Sequence, residues 1–282
     1  MKKTKRRGKK KNTRPKFFLD TSIQVEKIKR GNPNNFLSNL GLGDGKFCTS
    51  YFVLYEYKSG FLGSLIRYYF LVKICGNPAD AKSFWSDGMQ PREQKYAHLL
   101  DSVLYRINES IDVSNYDNHL RQLEIAIKTI YNAFYLKIEK RLVSDSFQND
   151  SIVKYELNSK SDFEGFKDLL FSRKTIDQIS FWKNNKENLS ILVDDKNIEF
   201  KKEYSLMHKR LCGIEKDFRN SEKVRTNNGV GDAIISMISP KKCTLVTLDK
   251  SYDLLCPLLS KQYTRVPKEK SPKIPFTKIE NA

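Results

Sequence analysis

Short apolar runs bounded by turn residues mark both ends of this chain. Lys16-Phe17-Phe18-Leu19 reads as a strand that stops at Asp20. Thr21 and Ser22 then start a helix over Ile23–Arg30, because their hydroxyls can accept the first unpaired backbone N–H groups, and Gly31-Asn32-Pro33 stops it. A second short helix over Asn34–Leu40 ends at Gly41, and Gly43-Asp44-Gly45 makes a turn. Lys46–Thr49 predicts a second strand. Ser50 then caps a helix through Val53, Leu54, Glu56 and Tyr57 to about Ser59. Towards the other end, Asp232 opens the apolar helix Ala233–Ile238, which Pro240 closes. Thr244–Thr247 predicts a strand with Asp249 just beyond it. A helix over Tyr252–Leu259 and a last strand over Gln262–Val266 follow.

The pattern between these ends is helical. Leu120, Leu123, Ile127, Ile130, Ala133 and Phe134 recur at three- and four-residue steps, as one face of a helix requires. Lys201–Arg219 reads as a long helix, and Ile191–Val193 as a brief strand or part of a loop. The stretch Phe61–Cys75 is strongly apolar but carries Arg67 and Lys73, and it is shorter than the ~18–20 residues that a membrane span needs. It predicts a buried or amphipathic helix, and no membrane partner is expected. Strands alternating with helices at both ends imply an α/β fold with a mainly parallel sheet. The expected organisation is a basic arm over 1–15, expected to be disordered, a core over 16–60 and 226–267, a helical insertion over 61–225, and a polar tail over 268–282.

Charge changes the picture more than composition does. The 282 residues hold 51 Lys+Arg against 33 Asp+Glu, a net charge of +18. The first sixteen residues contain Lys2, Lys3, Lys5, Arg6, Arg7, Lys9, Lys10, Lys11, Arg14 and Lys16 and no acid. Lys2, Lys3, Lys5, Arg6, Arg7, Lys9, Lys10, Lys11 and Arg14 are therefore expected to contact phosphates, with a nucleic acid the expected partner. The charged N-terminus runs into only a few apolar residues, so it does not read as a signal peptide. Cys48, Cys75, Cys212, Cys243 and Cys256 are widely spaced and contain no Cys-x-x-Cys pair, which argues against zinc and against a disulfide framework. Reduced thiols suit a cytoplasmic location. His98, His119 and His208 share no ligand spacing. Tyr68, Tyr69 and Phe70 beside Arg67 and Lys73 could stack bases, but a core role is the simpler expectation.

Against this basic background four acids stand out. Asp20 and Asp249 end strands, Asp232 opens a helix behind Gly229-Val230-Gly231, and Glu56 follows an apolar pair within its helix. Ligands of parallel sheets gather at the carboxyl ends of strands, so these acids can converge on one crevice. Carboxylates held together repel, and hard cations such as Mg²⁺ or Mn²⁺ relieve that repulsion. Two such ions can support phosphodiester hydrolysis by an activated water. Asp253 is a further candidate ligand, but it reads more simply as a surface acid on its helix.

The order of these acids resembles a known family. Phe17-Phe18-Leu19-Asp20-Thr21-Ser22 resembles the opening motif of PIN-domain nucleases. Ser50-Tyr51-Phe52-Val53-Leu54-Tyr55-Glu56-Tyr57 resembles the second. Asn228-Gly229-Val230-Gly231-Asp232-Ala233-Ile234-Ile235 resembles the third, and Thr244-Leu245-Val246-Thr247-Leu248-Asp249-Lys250-Ser251-Tyr252 the fourth. The resemblance covers about 16–60 and 228–267. Glu56 and Asp232 lie 176 positions apart, far more than a compact member needs. The resemblance implies a three-layer α/β/α nuclease core acting on RNA with Mg²⁺ or Mn²⁺. It implies Asp20, Glu56, Asp232 and Asp249 as catalytic metal ligands and Thr21, Ser22 and Thr247 as hydroxyls that orient them. It also implies a toxin-like or defence role, an inhibitory protein partner and a homodimer. A DNA flap or single-strand nuclease and a non-catalytic nucleic-acid-binding protein are the alternatives.

Overall fold

A computed structural model describes residues 14–29, 33–87, 116–137, 141–143, 145–147, 177–223 and 229–267. Five strands form one all-parallel sheet: β1 (Lys16–Leu19), β2 (Lys46–Ser50), β3 (Leu142–Val143), β4 (Thr244–Thr247) and β5 (Tyr263–Arg265). Their spatial order is β3-β2-β1-β4-β5. Strand β1 is central. It aligns Lys16 with Lys46 on one side and Phe17 with Thr244 on the other. Every strand is short, so the carboxyl ends of β1, β2 and β4 come level with one another.

The strands bury both faces, as a parallel sheet requires. Phe18 and Leu245 point into a large cluster with Phe52, Leu65, Ile234 and Trp182. Their neighbours Leu19 and Val246 point the other way, against Ile23, Phe36 and Leu37. This α/β arrangement is compatible with a three-layer α/β/α fold.

The helices that matter for the site follow the strands directly. Helix α1 (Thr21–Lys29) leaves β1 at Asp20, and α2 is Pro33–Asn39. Helix α3 (Tyr51–Tyr57) leaves β2, and the Ser50 side chain caps it by accepting from the Val53 N–H at 3.3 Å. It does not stop near Ser59. A π-helical turn over Lys58–Leu62 carries it into α4 (Gly63–Cys75), which ends at the left-handed Gly76. Tyr68 and Tyr69 of α4 are fully buried, so the aromatic cluster is core. Helix α5 is Pro78–Asp87 and α6 is Tyr116–Lys137. On α6, Leu120, Leu123, Ile127 and Ile130 are buried, in agreement with the predicted face.

Three features differ from the expectations. Strand β3, within the helical middle, is only two residues long and carries no period that a sequence could show. Ile191–Val193 is helical, as the end of α8 (Lys186–Val193), which follows α7 (Gln178–Asn184). Leu189 and Leu192 bury the same side of that helix, and a three-residue spacing favours a helix over a strand. The helix expected over Lys201–Arg219 is split into α9 (Ile198–Glu203) and α10 (Ser205–Lys216), because Tyr204 takes a non-helical ψ of 45°. A short α11 (Asn220–Lys223) follows, then α12 (Val230–Ile238) and α13 (Tyr252–Leu258).

The π turn carries a buried charge. Lys58 is fully buried, and its Nζ lies 5.6 Å from the centre of the Tyr131 ring on α6. Burial lowers its pKa from 10.5 to about 8. The protonated lysine therefore penalises the folded state fully below pH 8, and the penalty fades as pH rises towards 10.5. We expect Lys58→Met to stabilise the protein by about 2–3 kcal/mol at pH 7, with the gain vanishing near pH 10.5. Urea denaturation across that range checks this; a pH-independent difference would refute it.

Candidate functional site

The four sequence-predicted acids meet at the carboxyl end of the sheet. Asp20 is the first residue past β1, and Asp249 is two residues past β4. Asp232 lies in the first turn of α12, and Glu56 in the last turn of α3. All four act on one phenol. Tyr252, at the start of α13, is fully buried, and its pKa is pushed well above 10 by burial and then by the charges of Asp20, Asp232, Glu56 and Asp249. Its hydroxyl has no hydrogen-bond partner among the described residues. A buried polar atom without a partner costs roughly 1–3 kcal/mol, so this phenol marks an unfinished polar centre.

Hydroxyl groups fix the carboxylates. Ser22 Oγ donates to Asp20 Oδ1 at 2.7 Å, and Thr247 Oγ1 donates to Asp20 Oδ2 at 2.5 Å. The Ile23 backbone N–H also donates to Asp20 Oδ1, at 3.1 Å. Thr21 Oγ1 donates to Glu56 Oε2 at 2.5 Å, which accounts for an acid buried within an apolar helix face. The bond network crosses the sheet: the Leu248 N–H donates to Ser22 Oγ, and the Asp249 N–H donates to Thr247 Oγ1, both at 3.0 Å. Thr21 thus bonds Glu56, and Ser22 and Thr247 bond Asp20.

Two residues were missed from the sequence. Ser251 donates to Asp232 Oδ2 at 2.7 Å, so the acid on α12 has a hydroxyl partner of its own. Its signal was present, since Ser251 precedes the motif tyrosine by one residue. Tyr204 is the other. It breaks the helix between α9 and α10, and its phenol is raised by partial burial and by the charges of Glu203, Asp253 and Asp232. A tyrosine of the helical middle therefore borders the acidic centre, and no spacing in the sequence announces it. Asp253 pairs with Arg265 at 3.1 Å, consistent with a surface acid.

The electrostatics single out Asp20. Its carboxyl is buried, and its pKa is raised from 3.8 to about 7 by burial and then by the charge of Asp249. The three hydrogen bonds from Thr247, Ser22 and Ile23 oppose that rise without cancelling it. This centre gains stability from any cation that neutralises the pair.

Among the described residues, no three His, Cys, Asp or Glu side chains stand close enough to enclose a metal ion by themselves. The carboxylate and hydroxyl donors here are all oxygens, the donor type that hard cations take. Ions of that kind keep several waters and rely on one or two carboxylates together with substrate phosphate. His119 and His208 are buried among helical side chains instead, His119 against Tyr68 and His208 against Phe200. Lys2, Lys3, Lys5, Arg6, Arg7, Lys9, Lys10 and Lys11 of the arm lie outside the described residues, as do His98 and the tail over 268–282, and Arg14 is exposed.

Helix α12 is set at its start by Gly229, whose φ of +82° suits glycine alone, and a side chain there would meet Met207 of α10. The direction in which Asp232 enters the centre is therefore tied to the helical middle. Comparison with protein-family models, curated proteins and solved structures returns no match to this chain.

Proposed function

We propose that this chain is a metal-dependent endoribonuclease with a PIN-like core. The single observation that carries the reading is the hydrogen-bond network at the carboxyl end of the sheet, in which Thr21 bonds Glu56, Thr247 bonds both Asp20 and the Asp249 N–H, and Ser251 bonds Asp232. The four motifs that supply these acids resemble those of PIN-domain nucleases in order and in residue type. A strongly basic chain around an acidic centre suits a polyanionic substrate.

Asp20, Glu56, Asp232 and Asp249 would hold Mg²⁺ or Mn²⁺. Such ions supply Lewis acidity, which makes water nucleophilic at neutral pH and offsets the charge on the reacting phosphate. The chain itself does the positioning. Ser22 and Thr247 hold both oxygens of Asp20, Thr21 holds Glu56 and Ser251 holds Asp232. The carboxylates are thereby fixed before substrate arrives, which lowers the reorganisation needed during reaction. In the hydrolysis, the water oxygen bonds to phosphorus and the 3′-oxygen departs with a proton, which leaves 5′-phosphate and 3′-hydroxyl ends.

The test is cleavage of single-stranded RNA by the purified chain with Mn²⁺, with EDTA and with Asp232→Asn. Cleavage should require the ion and should fall by roughly 100-fold or more in the variant. Wild-type rates in EDTA or in Asp232→Asn would defeat the reading. Salt-sensitive binding without cleavage would move it to a nucleic-acid-binding protein.

A further inference from the structure

We propose that the amino-terminal edge of the sheet, opposite the carboxylates, is a docking strip for the phosphate backbone of a nucleic acid. It stands apart from the hydrolytic reading, because it needs neither the acids nor an ion.

The strand register builds the strip. Lys16 of β1 lies beside Lys46 of β2, and the Lys46 N–H donates to the Pro15 carbonyl at 2.8 Å, which fixes the two side by side. Phe17 aligns with Thr244 and Leu245 with Tyr263, so Cys243 and Lys261 continue the same level across β4 and β5. Lys241 and Lys242 precede Cys243 in the turn that enters β4. Arg14, Lys16, Lys46, Lys241 and Lys242 are all exposed. Lys261 is half-buried, because its ammonium donates to the Met237 and Ser239 carbonyls at the end of α12. In these segments the acid is Asp44, two residues before Lys46.

Like charges on adjacent strands repel, and strands lie only ~4.8 Å apart. The repulsion between Lys241 and Lys261 registers in the ammonium of Lys261, which burial and Lys241 together hold below the usual lysine range. An anion relieves this repulsion, and the row spans three or four strands, which suits a linear polyanion better than a single small ion. The chain also enters β1 through this edge. The charges of Lys2, Lys3, Lys5, Arg6, Arg7, Lys9, Lys10 and Lys11 are therefore tethered directly to the strip. One backbone can follow both. An anionic lipid surface fits less well, because surface binding combines basic with exposed apolar side chains. Among the described residues, the exposed large hydrophobics Ile74, Phe84, Ile125, Ile191, Ile198 and Leu206 all belong to helices and none to the strands of this edge.

The sheet thus carries opposite charge at its two ends, separated by four-residue strands or roughly 13 Å. Nucleic acid held on the strip is anchored away from the acidic centre instead of lying in it.

The experiment uses the full chain, a labelled single-stranded RNA and EDTA throughout, so that cleavage plays no part. Wild type and the variant carrying Lys16→Gln, Lys46→Gln, Lys241→Gln and Lys242→Gln are compared by fluorescence anisotropy between 50 and 200 mM salt. Loss of four phosphate contacts should make the salt slope shallower by about 3. That fourfold rise in salt should then weaken wild-type binding by roughly 50-fold more than it weakens the variant. A variant with unchanged melting temperature and unchanged slope overturns the proposal. If the variant misfolds, amine-reactive footprinting of wild type decides. RNA should protect Lys16, Lys46, Lys241 and Lys242, and phosphatidylserine vesicles should not. Absent protection by RNA, or equal protection by vesicles, overturns it.

Discussion

Asp20→Asn is expected to abolish RNA cleavage and, at the same time, to make the protein more stable. Asp20 has a folded-state pKa of about 7 against 3.8 for the unfolded chain, so the folded state holds its proton more tightly. Between those values the folded chain binds more protons than the unfolded one. Stability of the ion-free protein therefore falls as pH rises from about 4 to about 7, and the loss is complete above 7. Asparagine carries no charge to bury and keeps an oxygen for Ser22 or Thr247. We expect a gain of about 1–3 kcal/mol at pH 8 that disappears by pH 4, read from urea denaturation in EDTA. Mn²⁺ should reverse the ranking by stabilising wild type and leaving Asp20→Asn unmoved. A variant less stable than wild type at pH 8 in EDTA would show that Asp20 is a structural acid.

Phe147→Ala should cost about 3–5 kcal/mol, the range for removing a fully buried ring. Phe147 belongs to the segment after β3, and its ring centre lies 4.8 Å from that of Phe52 on α3 and 4.8 Å from that of Phe181 on α7. Trp182 meets Phe181 edge to face, with ring centres 5.2 Å apart. Two residues earlier, Asp145 accepts the Phe52 N–H at 3.3 Å and the Phe147 N–H at 3.0 Å. This segment fastens the start of the helix that carries Glu56. The whole loss should therefore appear in one cooperative transition, with fluorescence of Trp85 and Trp182 and far-UV circular dichroism coinciding. Two separated transitions, or a loss below about 1 kcal/mol, would mean that the helical middle folds on its own.

The candidate site was legible because strand-end acids and capping hydroxyls are local signals. Phe17-Phe18-Leu19-Asp20-Thr21-Ser22 contains a strand, an acid and both hydroxyls in six residues, and each is where the sequence places it. The Ser50 cap was legible for the same reason, whereas the helix behind Gly229 begins at Val230, two residues before the Asp232 that the sequence marks as its start. Strand β3 was not legible. Leu142 and Val143 are a strand only because β2 offers its free edge to them. Tyr204 was not legible either, since its place beside Asp232 depends on how α10 packs on α12. The buried Lys58 contradicts the rule that lysines face water, and a π turn that rotates it inward has no signature in residue order.

Thr247 and Asp20 are 227 positions apart in the chain, yet they share the 2.5 Å hydrogen bond that fixes the first carboxylate. Closing a loop of that length costs about 5 kcal/mol of chain entropy, which only later contacts repay. On a ribosome adding about 5–20 residues per second, β4 and Asp249 emerge some ten seconds or more after β1. The acidic centre therefore closes only after the whole helical middle has been made. A translation product truncated before residue 244 lacks β4 and Asp249, so its Asp20 is left without the Thr247 hydroxyl and its central strand without one neighbour.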